Sequence, residues 1–203
     1  MTTSLKWKRV WVLALSGMLC GCHSVKVSEP PRTALEQLLL SSAADRAVVP
    51  VDLAWVKGLA IFVQDKYVES YDKGYAISLI RDRLSLAGGR LIKEEDKADY
   101  IVEIRSGGLG MNTSQTLFGI PSFALPIPFS GPIQTPELAF YKSQKADSTG
   151  KFALFAYKRD SGEHLESTGP MAGKAHFYFY KLFFVSWQRT DVTELQRQPK
   201  SVR

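Results

Sequence analysis

The sequence predicts an α+β fold, a mostly antiparallel sheet with two main helices packed on one face, following an N-terminal signal peptide. Two stretches between residues 33 and 87 repeat apolar residues at helical spacing. The last third alternates short apolar runs with Gly- and Ser-containing breaks, the pattern of a meander. The N-terminus runs from basic to apolar to small residues.

Residues 1–9 carry Lys6, Lys8 and Arg9 without an acid, and an uncharged, mostly apolar run occupies residues 10–19. This order is that of a secretory signal, and the run is too short for the roughly 20 residues that span a bilayer as a helix. Leu19-Cys20-Gly21-Cys22 resembles the lipobox of bacterial lipoproteins, with an aliphatic residue three places before the cysteine and a small one just before it. Cys20 does not fit that register, because Leu19 then stands where a small residue is needed. The resemblance implies cleavage between Gly21 and Cys22 and acylation of Cys22. The alternative is an ordinary signal peptide with two incidental cysteines, which one intervening residue makes hard to bridge without strain. Acylation by more than one chain is the condition for stable attachment. His23 follows the cysteine where an aspartate favours inner-membrane retention in enteric bacteria. In a Gram-negative cell the expected address is therefore the outer membrane, facing the periplasm.

Removing residues 1–21 takes away three of the bases and lowers the formal charge from +6 to +3. The remaining bases are scattered, without the basic-aromatic interleaving of nucleic-acid binders, so no nucleic-acid partner is expected. Residues 22–32, ending in Pro30-Pro31, read as a lipidated, extended tether. Residues 33–190 read as a single domain and 191–203 as a polar tail.

Within the domain, Thr33 and Glu36 form a capping box for a helix over about 34–47, with Leu35, Leu38, Leu39 and Ala43 as its apolar stripe. The run from Gly58 reads as a buried strand. Ala76, Leu79, Ile80, Arg83, Leu84 and Ala87 follow a 3.6-residue period over 71–87, and Gly88-Gly89 ends that helix. Strands are expected at 90–93 and 98–105, the latter with Tyr100, Val102 and Ile104 on one face. Further strands are expected at 137–142, 151–159, 163–168 and 175–187, separated by DSTG, RDSG and TGPMAG turns. The last of them is apolar on both faces and is expected to be central.

Residues 106–136 form a run of 31 without a charge, holding five glycines and five prolines. Prolines argue against a long helix or a central strand there. A long excursion of high apolar content is the expectation. Three roles are open. It caps the domain's own core, it exposes Phe118, Ile120, Phe123, Leu125 and Phe129 as a patch that docks an envelope protein, or it dips into the nearby membrane. The segment's lack of flanking lysine, tryptophan and tyrosine weighs against the third. A cavity beneath the segment, carrying a lipid or other apolar ligand, is the alternative function.

No catalytic constellation is legible. His23 lies in the tether, His164 in a turn with Glu163 and Glu166, and His176 has no acidic neighbour in sequence. Gly107-Gly108-Leu109-Gly110 lacks the Lys-Ser/Thr of a phosphate loop and reads as a turn. Catalytic residues, metal ligands and cofactors are therefore expected to be none.

The residues SEPPRTALEQLLLSSAADRAV, FGIPSFALPIP, TPELAFYKSQ and GKFALFAYKRDSGEHL resemble a family of uncharacterised bacterial lipoproteins, with PPRTATEQLL-like and TPELALF-like motifs. That resemblance covers most of the chain beyond Cys22 and brings no activity with it. The strand–helix–strand–strand order also looks like that of periplasmic α+β domains of outer-membrane assembly lipoproteins, a likeness of fold alone. Together these imply a non-enzymatic, membrane-anchored envelope protein whose oligomeric state is left open.

Overall fold

The computed structural model describes residues 22–27, 33–70, 72–127 and 131–193. Gly21, Phe129 and the polar residues from 194 onward lie outside these. The fold is α+β, with two α-helices and a mostly antiparallel sheet among the described residues.

Helix α1 (Ala34–Val48) begins where the capping box places it. The Thr33 hydroxyl accepts the Glu36 N–H, and the Glu36 carboxylate accepts the Thr33 N–H at 2.8 Å. Two donors that the helix start leaves unpaired are thereby satisfied. Its buried side is wider than the expected stripe: Leu39, Leu40, Ala43, Ala44, Ala47 and Val48 are all inside. Helix α2 (Lys73–Leu86) buries Ala76, Ile80 and Leu84 and packs on α1, to which Tyr75 and Arg83 are hydrogen-bonded at Asp45 and the Val49 carbonyl. Gly88 at φ +95° then turns the chain out of the helix.

Seven strands form one sheet. Strand β2 (Ala60–Gln64) lies between β3 (Arg90–Ile92) and β4 (Tyr100–Ile120) and runs parallel to both. Parallel neighbours need a long crossover, which α2 supplies between β2 and β3. The order continues from β4 through β7 (Leu138–Lys158) and β8 (His164–Leu182) to β9 (Val185–Thr190), with β1 (Cys22–Val27) on β4. At one end of β7 the Arg159 N–H binds the Asp99 carbonyl, and at the other Leu138 abuts Gly119. The ascending β4 and descending β7 are therefore antiparallel. Connections of five and two residues allow β7–β8 and β8–β9 only the same arrangement. Strands β5 (Ala124–Ile127) and β6 (Gly131–Gln134) form a separate two-stranded ladder.

Several expected turns lie inside strands. DSTG sits within β7 because its small residues face α1: the buried Ser148 hydroxyl shares its proton between the Leu39 and Ala175 carbonyls, at 2.7 and 3.0 Å. TGPMAG sits within β8 for the same reason. A Cβ on Gly173 would fall 2.2 Å from the Ala43 carbonyl oxygen and 2.5 Å from the Ala47 nitrogen, so only glycine lets the helix settle there. Pro170 is tolerated because β9 ends beside His176, leaving the earlier part of β8 without a partner on that side among the described residues. Gly107–Gly110 continues β4 and is not a turn; across it the inward face passes from Ile104 to Leu109, beside Gly108 at φ +139°.

The 106–136 excursion is also more regular than expected. Residues 106–120 contain no proline, so the ladder of β4 runs through them unbroken. The 175–187 strand is divided: its first part is the inner strand β8, and a turn at Phe183-Phe184 leads into the edge strand β9. Cys22–Val27, the first part of the expected extended tether, forms a strand paired with β4. The tail starts later than residue 191, since Val192 is buried.

The chain divides into two compact units. One holds Val27–Asn112, Ala146–Phe177 and Thr190–Arg203; the other holds Met1–Lys26, Thr113–Lys145 and Tyr178–Arg189. The first contains both helices and a continuous core in which Leu39, Ile61, Ile80, Ile104, Phe152 and Leu154 are almost wholly buried. Full burial contributes about 1.5–3 kcal/mol for each such side chain. Arg46 closes this unit, donating to the Lys174 and Asp191 carbonyls at 2.6 Å each and pairing with the Asp191 carboxylate. The second unit is built of strands alone among the described residues.

Candidate functional site

The second unit carries the segment singled out by its lack of charge. Its ladder accommodates prolines by placement. Thr135 N–H binds the Phe123 carbonyl at 2.9 Å, which makes Phe123·Thr135 a hydrogen-bonded pair. Alternation along the register Ala124↔Gln134, Leu125↔Ile133, Pro126↔Pro132 then puts both prolines at a non-hydrogen-bonded pair, where neither needs an N–H. The Thr135 hydroxyl accepts the Phe123 N–H at 2.9 Å and fixes the base of the hairpin. Gly119, at φ +152°, is held against the Leu138 carbonyl so closely that a Cβ would lie 2.1 Å from its oxygen.

Of the five apolar residues proposed as contacts, Phe118, Ile120, Phe123 and Leu125 are exposed, Phe123 to 49%. Phe129 lies outside the described residues. Cys22 opens β1 and belongs to this same unit. The segment divides its large side chains: Leu109, Met111 and Leu117 are buried, the first two in the core of the helix-bearing unit, while Phe118, Ile120, Phe123 and Leu125 face solvent.

The structure adds residues that the sequence placed elsewhere. Phe140 of β7 joins Phe118 and Phe183 through ring contacts at 6.4 and 5.8 Å, and Phe183 N–H binds the Phe140 carbonyl at 2.8 Å. The hairpin of β8 and β9 thereby extends the patch. At its apex Phe184 is 99% exposed, and Leu182 and Val185 beside it are exposed too. Tyr180 and Trp187 stack at 5.5 Å, and the Lys145 ammonium lies 5.9 Å from the centre of the Tyr178 ring. The ring cluster of Phe118, Phe140 and Phe183, with exposed Leu182, Phe184 and Val185 close to Phe183 in the chain, is the kind of apolar surface that marks an interaction site. Its signal in the sequence was the aromatic run HFYFYKLFFVSW, read as a strand buried on both sides.

Charge is distributed as unevenly as apolarity. From Cys22 onward this unit holds five bases, Lys26, Lys142, Lys145, Lys181 and Arg189, against one acid, Glu137. Glu137 is engaged by Lys142 at 2.9 Å.

Outside that surface, His164, His176 and Asp191 make defined contacts. His164 stacks on Phe155 at 5.6 Å, and its Nε2 meets the Ser167 hydroxyl at 3.0 Å on an exposed strand end. The backbone N–H of His176 binds the Asp191 carboxylate at 2.8 Å. Burial pushes the Asp191 carboxyl up, but that hydrogen bond and the bond and charge of Arg46 outweigh it and hold the group below its ordinary value. No group of three or more His, Cys, Asp or Glu is placed to hold a metal among the described residues. The helix-bearing unit has a cleft of about 260 Å³ lined by Arg105, Ser106, Gly107, Lys151, Phe152, Ala153, Gly169 and Pro170. No helix among the described residues is long and apolar enough to cross a membrane.

The model of a family of unknown function, DUF6655, matches residues 16–177 of the chain. The chain belongs to that family. No curated protein and no solved structure matches it.

Proposed function

We propose that this member of the DUF6655 family is a non-enzymatic, membrane-anchored lipoprotein of the cell envelope, which works by docking through the exposed apolar surface of its strand unit. The observation that carries this reading is the exposure of Phe118, Ile120, Phe123 and Leu125 on a unit that also exposes Leu138, Phe140, Leu182, Phe183, Phe184 and Val185. Leaving so much apolar area in water is unfavourable by about 25 cal/mol for each Å², so a surface that retains it is expected to be covered in its working state. The lipobox-like Leu19-Cys20-Gly21-Cys22 and the basic-apolar segment before it support acylation of Cys22 and an outer-membrane address.

Processing at Gly21–Cys22 leaves no thiol besides the acylated one, so a single introduced cysteine reports cleanly. The variant Phe123→Cys is expected to resist maleimide in intact envelopes and to label readily in buffer when the chain lacks residues 1–21 and carries Cys22→Ser, so that position 123 holds its one thiol. Equal labelling in both states overturns the docking role. Metabolic labelling with a fatty-acid analogue tests the anchor separately: label is expected on the wild type and absent from Cys22→Ala.

A further inference from the structure

We propose that the occupant of this docking surface is the lipid bilayer itself, with the β8–β9 hairpin seated in the headgroup layer of an anionic membrane. The inference rests on the docking role just described and names its target. Four features of the strand unit support it.

The first is the turn. A two-residue hairpin turn with positive φ is ordinarily built from Gly, Asn or Asp, because a side chain branching from such a backbone is strained. Here it is Phe183-Phe184, with Phe183 at φ +50° and Phe184 99% exposed. Packing within the unit accounts for Phe183, whose ring meets Phe140, but not for a bare phenyl group at the apex. The second is the belt of amphipathic rings behind that apex. Tyr180 and Trp187 stack on one another, and rings of this kind favour the level of lipid headgroups, with the apolar body inward and the polar edge wet.

The third is charge. Five bases to one acid is a strong excess for a unit this small, and Glu137 is already paired with Lys142. Cations flanking exposed apolar residues fit an anionic lipid surface, which attracts each base within a Debye length. A typical protein interface instead has both signs of charge in its rim. The fourth is attachment. Cys22 is the first residue of a strand paired with β4 and belongs to the same unit, so acyl chains on it leave from the unit that bears the patch. The uncharged segment lacks lysine, tryptophan and tyrosine of its own; the fold supplies them from the end of the chain.

The experiment uses the acylated protein reconstituted in vesicles containing anionic phospholipid with brominated acyl chains. Processing leaves Trp55 and Trp187. Trp55 has its indole N–H buried without a hydrogen-bond partner, so Trp55→Phe isolates Trp187 without breaking a bond. Emission from Trp187 is expected to shift to the blue and to be quenched by the bromines. The change Phe184→Asp, at a site too exposed to disturb folding, is expected to weaken quenching. In the unacylated Cys22→Ser chain it should lower vesicle affinity by about tenfold, the scale of transferring one phenyl group from water. Raising the salt, or replacing anionic by zwitterionic lipid, is expected to weaken that affinity further. Unquenched Trp187 with emission as in buffer overturns the bilayer as occupant. If Phe123→Cys is nevertheless protected in intact envelopes, the docking role stands and its target is a protein. If Phe123→Cys is also labelled there, both readings fall.

Discussion

Replacing Gly173 by alanine is expected to destabilise the chain by about 2 kcal/mol, and the size follows from the position of one atom. The added Cβ would stand 2.2 Å from the Ala43 carbonyl oxygen and 2.5 Å from the Ala47 nitrogen. Both belong to helix backbone, which has no rotamer to turn aside, so α1 must lift from β8 by roughly 1 Å. A gap of 0.5–1 Å forfeits a quarter to a half of each van der Waals contact along the seam. Leu39, Leu40, Ala43 and Ala44, all wholly buried, lie on that seam. The hydrogen bond from Ser148 to the Leu39 carbonyl would stretch with them. Overpacking of this kind costs about 1–3 kcal/mol, while the stiffer unfolded chain returns about 0.4–1 kcal/mol. Urea unfolding followed by circular dichroism measures the difference, with Gly110→Ala as control, since nothing lies within 4 Å of a Cβ there. Two results would refute the reasoning. One is Gly173→Ala within about 0.5 kcal/mol of wild type; the other is Gly173→Asn more stable than Gly173→Ala, the ranking of a turn glycine.

Three further outcomes are expected. Ser148→Ala should cost about 1 kcal/mol by the same assay, the usual net worth of a buried hydrogen bond, because a methyl group leaves the Leu39 and Ala175 carbonyls short of a donor. Asp191 is held below its ordinary carboxylate value in the folded chain, so its contribution is complete above the unfolded value near pH 4 and is lost as pH falls through the lower folded value. Asp191→Asn is thus expected to flatten stability against pH below about 4 and to leave the slope near neutrality unchanged; an unaltered acid limb in thermal melts would contradict this. Gly119→Ala should loosen the strand unit, since both φ +152° and the 2.1 Å approach to the Leu138 carbonyl exclude a side chain. Faster hydrogen exchange in residues 113–120 and 138–145, with 34–48 unchanged, is the expected pattern, and uniform protection would argue against it.

The sequence by itself determined what short-range physics controls. Capping by Thr33 and Glu36, the helical period of 71–87 and the faces of Tyr100, Val102 and Ile104 are set by neighbours within a few residues, and each stands in the structure as expected. The apolar, uncharged character of 106–136 was equally plain, because charge and hydropathy need no partner to be counted. Tertiary structure alone decided how long the strands are. Glycine and serine have two uses, freedom at a turn and smallness under another backbone, and composition does not distinguish them. Ser148 and Gly150 of DSTG and Gly173 of TGPMAG serve the second use beneath α1, which lies more than 100 residues away in the chain, while Gly169 at φ +66° serves the first. Pairing likewise decided that 178–189 shares a unit with 113–145, bringing Trp187, Tyr180 and Lys181 to a segment that lacks such residues. Long-range contacts of this kind depend on where two distant stretches meet, and no local pattern of residues encodes that meeting.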